Sequence, residues 1–64
     1  MTSMEKGELL QEQAKIREWL FRYGQMHADR DTRIRYAYQL RITQAEIATL
    51  VGMTRQTVSR IVGS

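Results

Sequence analysis

Residues 43–62 read TQAEIATLVGMTRQTVSRIV, and this stretch decides the fold. Thr43 and Glu46 are spaced as a T-x-x-E capping box, so a helix starts at Gln44. Ile47, Leu50 and Val51 form its apolar side, and Ala48 is small where a second helix must cross closely. Gly52 is the residue that can take positive φ and end the helix. Met53 plugs the turn, Thr54 caps a second helix from Arg55 to about Val62, and Gly63 ends it. Within that second helix Val58, Ile61 and Val62 face inward.

Counting from Gln44, a small residue stands fifth (Ala48) and glycine ninth (Gly52). Apolar residues stand fourth, eighth, tenth, fifteenth and eighteenth: Ile47, Val51, Met53, Val58 and Ile61. Seven positions thus fit the helix-turn-helix pattern. With the inward residues assigned, the outward face of the last helix carries Arg55, Gln56, Ser59 and Arg60. Arg can bind guanine O6 and N7 through two hydrogen bonds, and Gln can do the same with adenine. These four are the expected base contacts. Thr54 and Thr57 lie near the positive end of the helix, where free N–H groups favour a phosphate. Thr43 and Gln44, at the start of the preceding helix, join them as expected phosphate contacts.

Residues 42–62 resemble the DNA-binding segment of bacterial regulators of the cyclic-AMP-receptor-protein/Fnr type, which carry a T-x-x-E-I-x-x-x-x-G-x-[ST]-R-x-T-V-x-R run. The matching residues are Thr43, Glu46, Ile47, Gly52, Thr54, Arg55, Thr57, Val58 and Arg60. The resemblance implies that Arg55, Gln56 and Arg60 read bases and that the hydroxyls of Thr54 and Thr57 sit near phosphates. Gln56 stands where that family often has Glu. Glu accepts from cytosine, so Gln shifts the expected preference towards adenine. Within these 64 residues neither that family's cyclic-nucleotide domain ahead of the motif nor a β-hairpin wing after it is expected. Residues 30–48 are also similar to the opening of trihelical, homeodomain-like domains of bacterial regulators and resolvases, in which a helix precedes the motif.

Outside the motif the reading is looser. A first helix is expected from about Lys6 to Met26, with Thr2 and Glu5 spaced as a capping box. Leu9, Ile16, Trp19, Leu20, Tyr23 and Met26 gather on one broad face, interrupted by Glu12. Leu10, Ala14 and Phe21 form a second, narrower strip. Two strips suggest two surfaces to bury, one against the rest of the chain and one against a second copy. Leu9, Leu10, Ile16, Trp19, Leu20, Phe21 and Tyr23 are therefore the dimerisation candidates. The other reading is that one wide face only completes the monomer core.

Residues 27–31 form a polar break, with Asp29 and Asp31 as candidate N-caps. The stretch from Thr32 to Arg41 reads two ways. Ile34, Tyr36, Tyr38, Leu40 and Ile42 alternate as in a strand, whereas Ile34, Ala37, Tyr38 and Arg41 fit a helix less cleanly. A strand here has no evident partner for its backbone groups, so a helix is expected.

Charge sharpens the picture. Residues 1–28 balance Lys6, Lys15, Arg17 and Arg22 against four Glu, while residues 29–64 set six Arg against Asp29, Asp31 and Glu46. The whole excess of +3 therefore lies in the C-terminal part and is carried by Arg. Arg33, Arg35 and Arg41 are further phosphate candidates.

The 64 residues allow one small domain with a marginal core. There is no Cys to bridge it, and His27 is the only His, so no metal site is expected. Neither a signal peptide nor a membrane span is present in the sequence pattern, which gives a cytoplasmic expectation. No nucleophile with a base, carboxylate pair or phosphate loop stands out, so neither an enzyme nor a cofactor nor a small-molecule ligand is expected. The expected architecture is all-α: an N-terminal amphipathic helix over 1–28, then a trihelical helix-turn-helix domain over 29–64. The expected activity is sequence-specific regulation of transcription, with double-stranded DNA as partner and the chain acting as a homodimer. A DNA-binding module of a recombinase or larger regulator, and a protein-interaction module of the same fold, are the alternatives.

Overall fold

A computed structural model describes residues 5–63. It contains four helices, α1 (Lys6–Tyr23), α2 (Arg30–Gln39), α3 (Gln44–Val51) and α4 (Arg55–Gly63), and no strand among the described residues. α1 lies on α2 and α3, while α4 packs on α2 and α3 and not on α1. α1 and α4 therefore lie on opposite sides of the α2–α3 pair.

One apolar core serves all four helices. Ile16 and Leu20 from α1 meet Ile34 and Ala37 from α2, Ile47, Ala48 and Val51 from α3, and Val58 and Ile61 from α4. Leu40 and Ile42, in the α2–α3 connection, are buried with them. The alternation from Ile34 to Ile42 is thus a coincidence of two structures. Ile34 is buried on the helix, Leu40 and Ile42 are buried after it ends, and Tyr38 between them is exposed. The helix wins because its backbone groups pair within the segment, where a lone strand leaves them unpaired.

Several boundaries differ from the sequence expectations. α1 stops at Tyr23, three residues short of Met26, which is 94% exposed and belongs to no apolar face. Gly24 follows as the C-cap in a right-handed conformation, its N–H still bonded to the Leu20 carbonyl, at a point where a Cβ would meet Val51 of α3. α2 begins at Arg30 and ends at Gln39, two residues ahead of the expected span. Asp29 takes the N-cap position without a side-chain bond to the helix, and Asp31 falls inside the first turn. Gly63 is the last residue of α4 and not the one that follows it. The capping box assigned to Thr2 lies outside the described residues.

Ile16 and Leu20, expected at a dimer surface, are buried inside the chain, at 3% and 0% exposure, and are not open to a partner. Leu9 and Trp19 are partly covered by the same core. Leu10, Phe21 and Tyr23 remain exposed.

Candidate nucleic-acid interface

The turn between α3 and α4 is built as the sequence pattern requires. Thr43 Oγ1 accepts the backbone N–H of Glu46 at 3.2 Å and caps α3. At the other end Gly52 sits at φ 69°, in the left-handed region where a side chain is unfavourable. Its N–H returns to Ala48, and Met53 N–H reaches the same carbonyl at 3.0 Å. Met53 packs partly buried against the core. Thr54 Oγ1 then accepts Thr57 N–H at 3.2 Å and lies 3.0 Å from Thr57 Oγ1, closing the first turn of α4.

The Glu46 half of the capping box is used differently. Its carboxylate forms an ion pair and hydrogen bond with Arg17 of α1. The motif is thereby tied to the first helix as well as capped.

α4 presents two faces. Val58 and Ile61 are buried and Val62 partly so, while Arg55, Gln56, Ser59 and Arg60 are all exposed. The four expected base-reading side chains thus share the outward side of one helix that is anchored by its other side. Thr54, Thr57 and Thr43 are exposed at the helix starts, and Gln44 is half-buried there. Thr54 and Thr57 thus add hydroxyls at the N-terminal end of α4, and Thr43 and Gln44 stand at that of α3.

The three further Arg residues divide. Arg41 is exposed in the α2–α3 connection, at φ 71°, a conformation that side chains other than Gly rarely adopt. It occupies the position after α2 where helices commonly place Gly, and the next residue, Ile42, donates its N–H to Ala37. Gln13 of α1 holds the connection in place by donating to the Leu40 carbonyl at 2.6 Å. Arg33 instead lies over the Trp19 ring, 5.2 Å from its centre, in a cation–π contact. Arg35 donates from Nε to the Ile61 carbonyl of α4 at 3.0 Å. Geometry thus binds the half-buried Arg35 into the fold, while Arg33 remains exposed above Trp19. Spacing and charge alone cannot separate them from Arg41, because all three are Arg within one stretch of nine residues.

Trp19, Tyr23 and Tyr36 are structural as placed. Trp19 stacks at a tilt on Tyr23, with ring centres 5.6 Å apart, and edge-on to His27 at 5.1 Å. Tyr36 donates its hydroxyl to Glu12 Oε2 at 3.1 Å, which accounts for the acid that interrupts the apolar face of α1. No group of His, Cys, Asp and Glu able to hold a metal occurs among the described residues, and no described helix is long and apolar enough to cross a membrane.

A family model, the Crp-like helix-turn-helix domain, matches residues 14–64, which takes in most of α1 as well as the motif. Neither a curated protein nor a solved structure matches the chain. The matched span, the pinned turn at Gly52 and the polar outer face of α4 agree with one another: the chain belongs to the Crp-like helix-turn-helix domain family, a family of DNA-binding regulators.

Proposed function

We propose that the chain is a sequence-specific transcriptional regulator that lays α4 in the DNA major groove and acts as a homodimer. The observation that carries the first part is the division of α4. Arg55, Gln56, Ser59 and Arg60 are all exposed on a helix whose other side, through Val58 and Ile61, is fixed in the core. Base reading needs long donors held on a rigid support, and this face supplies them. Thr54 and Thr57 stand at its N-terminal end, and with the exposed Arg41, Thr43 and the half-buried Gln44 they are assigned as phosphate contacts that set register. With so few basic residues, one domain binds weakly, and pairing two half-sites raises affinity without new contacts.

The homodimer reading is supported by α1. Leu10 and Phe21, which share the narrower strip of α1, are 56% and 74% exposed, and Tyr23 is 48% exposed on a different part of the same helix, which does not pack on α4. A small chain that leaves such residues in water gains by covering them. A two-fold dimer places its half-sites about 34 Å apart or at a multiple of that.

In-vitro selection from random duplex DNA, read by sequencing, tests both parts. An enriched inverted repeat with that spacing is the expected result. A single short motif retains base reading and removes the dimer. No enrichment at low salt removes base reading and leaves the protein-interaction alternative.

A further inference from the structure

The C-terminal end of α4 is held by a side chain from another helix. Arg35, half-buried on α2, donates from Nε to the carbonyl of Ile61 at 3.0 Å. Ile61 lies in the last turn of α4, where the helix end carries partial negative charge. A guanidinium suits that place because it is always charged and its donors are fixed in a plane.

The position of this bond gives it leverage. α4 packs only on α2 and α3, so two neighbours set its direction. The turn at Gly52, Met53 and Thr54 fixes where α4 begins, and at its far end the bond from Arg35 adds to the core packing of Ile61. Between those points Arg55 and Arg60 are five residues apart, about 7.5 Å along the axis. A tilt of roughly 10° about the start moves Arg60 by about 1 Å, and productive geometry tolerates about half that.

We propose that Arg35 is a positioning residue for base reading. Through the Ile61 carbonyl it fixes the tilt of α4 and contributes to discrimination between sequences, and not to neutralising phosphate. This rests on the reading of α4 as the base-reading helix.

The test compares the full wild-type chain with Arg35→Met, which keeps an apolar stem, and Arg35→Lys, which keeps charge without the guanidinium. Each binds the duplex selected by the wild type and a scrambled duplex of equal length, over a range of salt, with folding followed by circular dichroism. The ratio of the two affinities cancels any loss of folded protein, because both duplexes meet the same folded population. The expected result for Arg35→Met is a ratio lowered at least about tenfold, comparable to one good base contact. Affinity per folded molecule for the scrambled duplex and its salt slope stay at wild-type values. Arg35→Lys shows the same pattern, reduced in size, and carries the test if Arg35→Met does not fold. A salt slope lowered by about 1, with equal loss on both duplexes, overturns the proposal by making Arg35 a phosphate contact. An unchanged ratio in the folded variants overturns it as well. A wild type that selects no duplex overturns the base-reading assignment itself, and Arg35 falls with it.

Discussion

Arg17 on α1 and Glu46 on α3 form an ion pair joined by a hydrogen bond from the guanidinium Nε. It links the first helix to the start of the motif, but both side chains are about two-fifths exposed, at 39% and 40%. Solvent and salt screen a pair in that setting, so its net contribution is small. A double-mutant cycle of Arg17→Met and Glu46→Gln, read by urea unfolding, is expected to give a coupling of about 1 kcal/mol or less, shrinking in high salt. Thr43→Ala, which removes the cap of α3, costs about 1 kcal/mol alone. A coupling well above the cost of the cap contradicts this ranking.

The two structural glycines respond for different reasons. At Gly24 an added Cβ comes 2.5 Å from Val51 Cγ1 of α3 and closer still to the Leu20 carbonyl of α1 itself, so both the α1–α3 approach and the end of α1 must adjust. Gly24→Ala is expected to cost about 1–3 kcal/mol, as overpacked cores do. At Gly52 the strain lies in the backbone, at φ 69°, and the nearest obstacle is the end of the flexible Gln25 side chain. Gly52→Ala is expected to cost about 1 kcal/mol. Thermal melts of both variants rank them, and an equal or reversed order speaks against the close α1–α3 approach.

Arg41 separates stability from binding. Its φ of 71° costs a side chain more than it costs Gly. Arg41→Gly is expected to match or exceed wild-type stability, by up to about 1 kcal/mol. The same change weakens DNA binding on all sequences alike and lowers the salt slope by about 1, as the loss of one phosphate contact does. Wild-type affinity in the glycine variant removes Arg41 from the DNA surface.

The motif was legible because each of its positions obeys a local rule. Gly52 must be able to turn left-handed, Thr43 and Thr54 must cap, and Ile47, Val51 and Val58 must repeat at helical spacing. The burial of Ile16 and Leu20 follows from three-dimensional packing. Their spacing marks an apolar face and says nothing about whether the same chain or another one covers it. The roles of Arg17, Arg33 and Arg35 were equally hidden. Each partner, Glu46, Trp19 or Ile61, lies on another helix, and a charge gives no sign in sequence of which distant group it will meet. Gly24 carried a weak signal, since glycine at the end of an amphipathic stretch marks either a stop or a close crossing, and here it marks both. Arg41 carried none, because its place is one that Gly usually fills.

Tyr36 gives the fold an alkaline limit. Burial, then its hydrogen bond to Glu12 and that carboxylate's charge, push the phenol above its ordinary 10.0, while the charge of Arg33 opposes the shift. A raised value means that the fold favours the protonated phenol. The stability it adds is therefore complete below about pH 10 and disappears as pH rises through the folded value. Chemical unfolding between pH 8 and 11.5 is expected to show this decline in the wild type and a smaller one in Tyr36→Phe. Parallel curves for the two proteins contradict the assignment.

Self-association through α1 is checked by sedimentation at high micromolar concentration. The wild type is expected to sediment as two chains and Phe21→Ser as one. Phe21 is 74% exposed, so its replacement changes monomer stability by no more than about 0.5 kcal/mol. A wild-type mass of one chain sinks the dimer.

The backbones of α1 and α4 do not pack on one another, and the two helices join only through the common core they share with α2 and α3. Substitutions among Arg55, Gln56, Ser59 and Arg60 therefore leave the surroundings of Leu10 and Phe21 untouched, and the reverse holds too. Drift at one end carries no penalty at the other. A lineage of such chains can acquire a new target sequence while keeping its mode of association, or change its association while keeping its target.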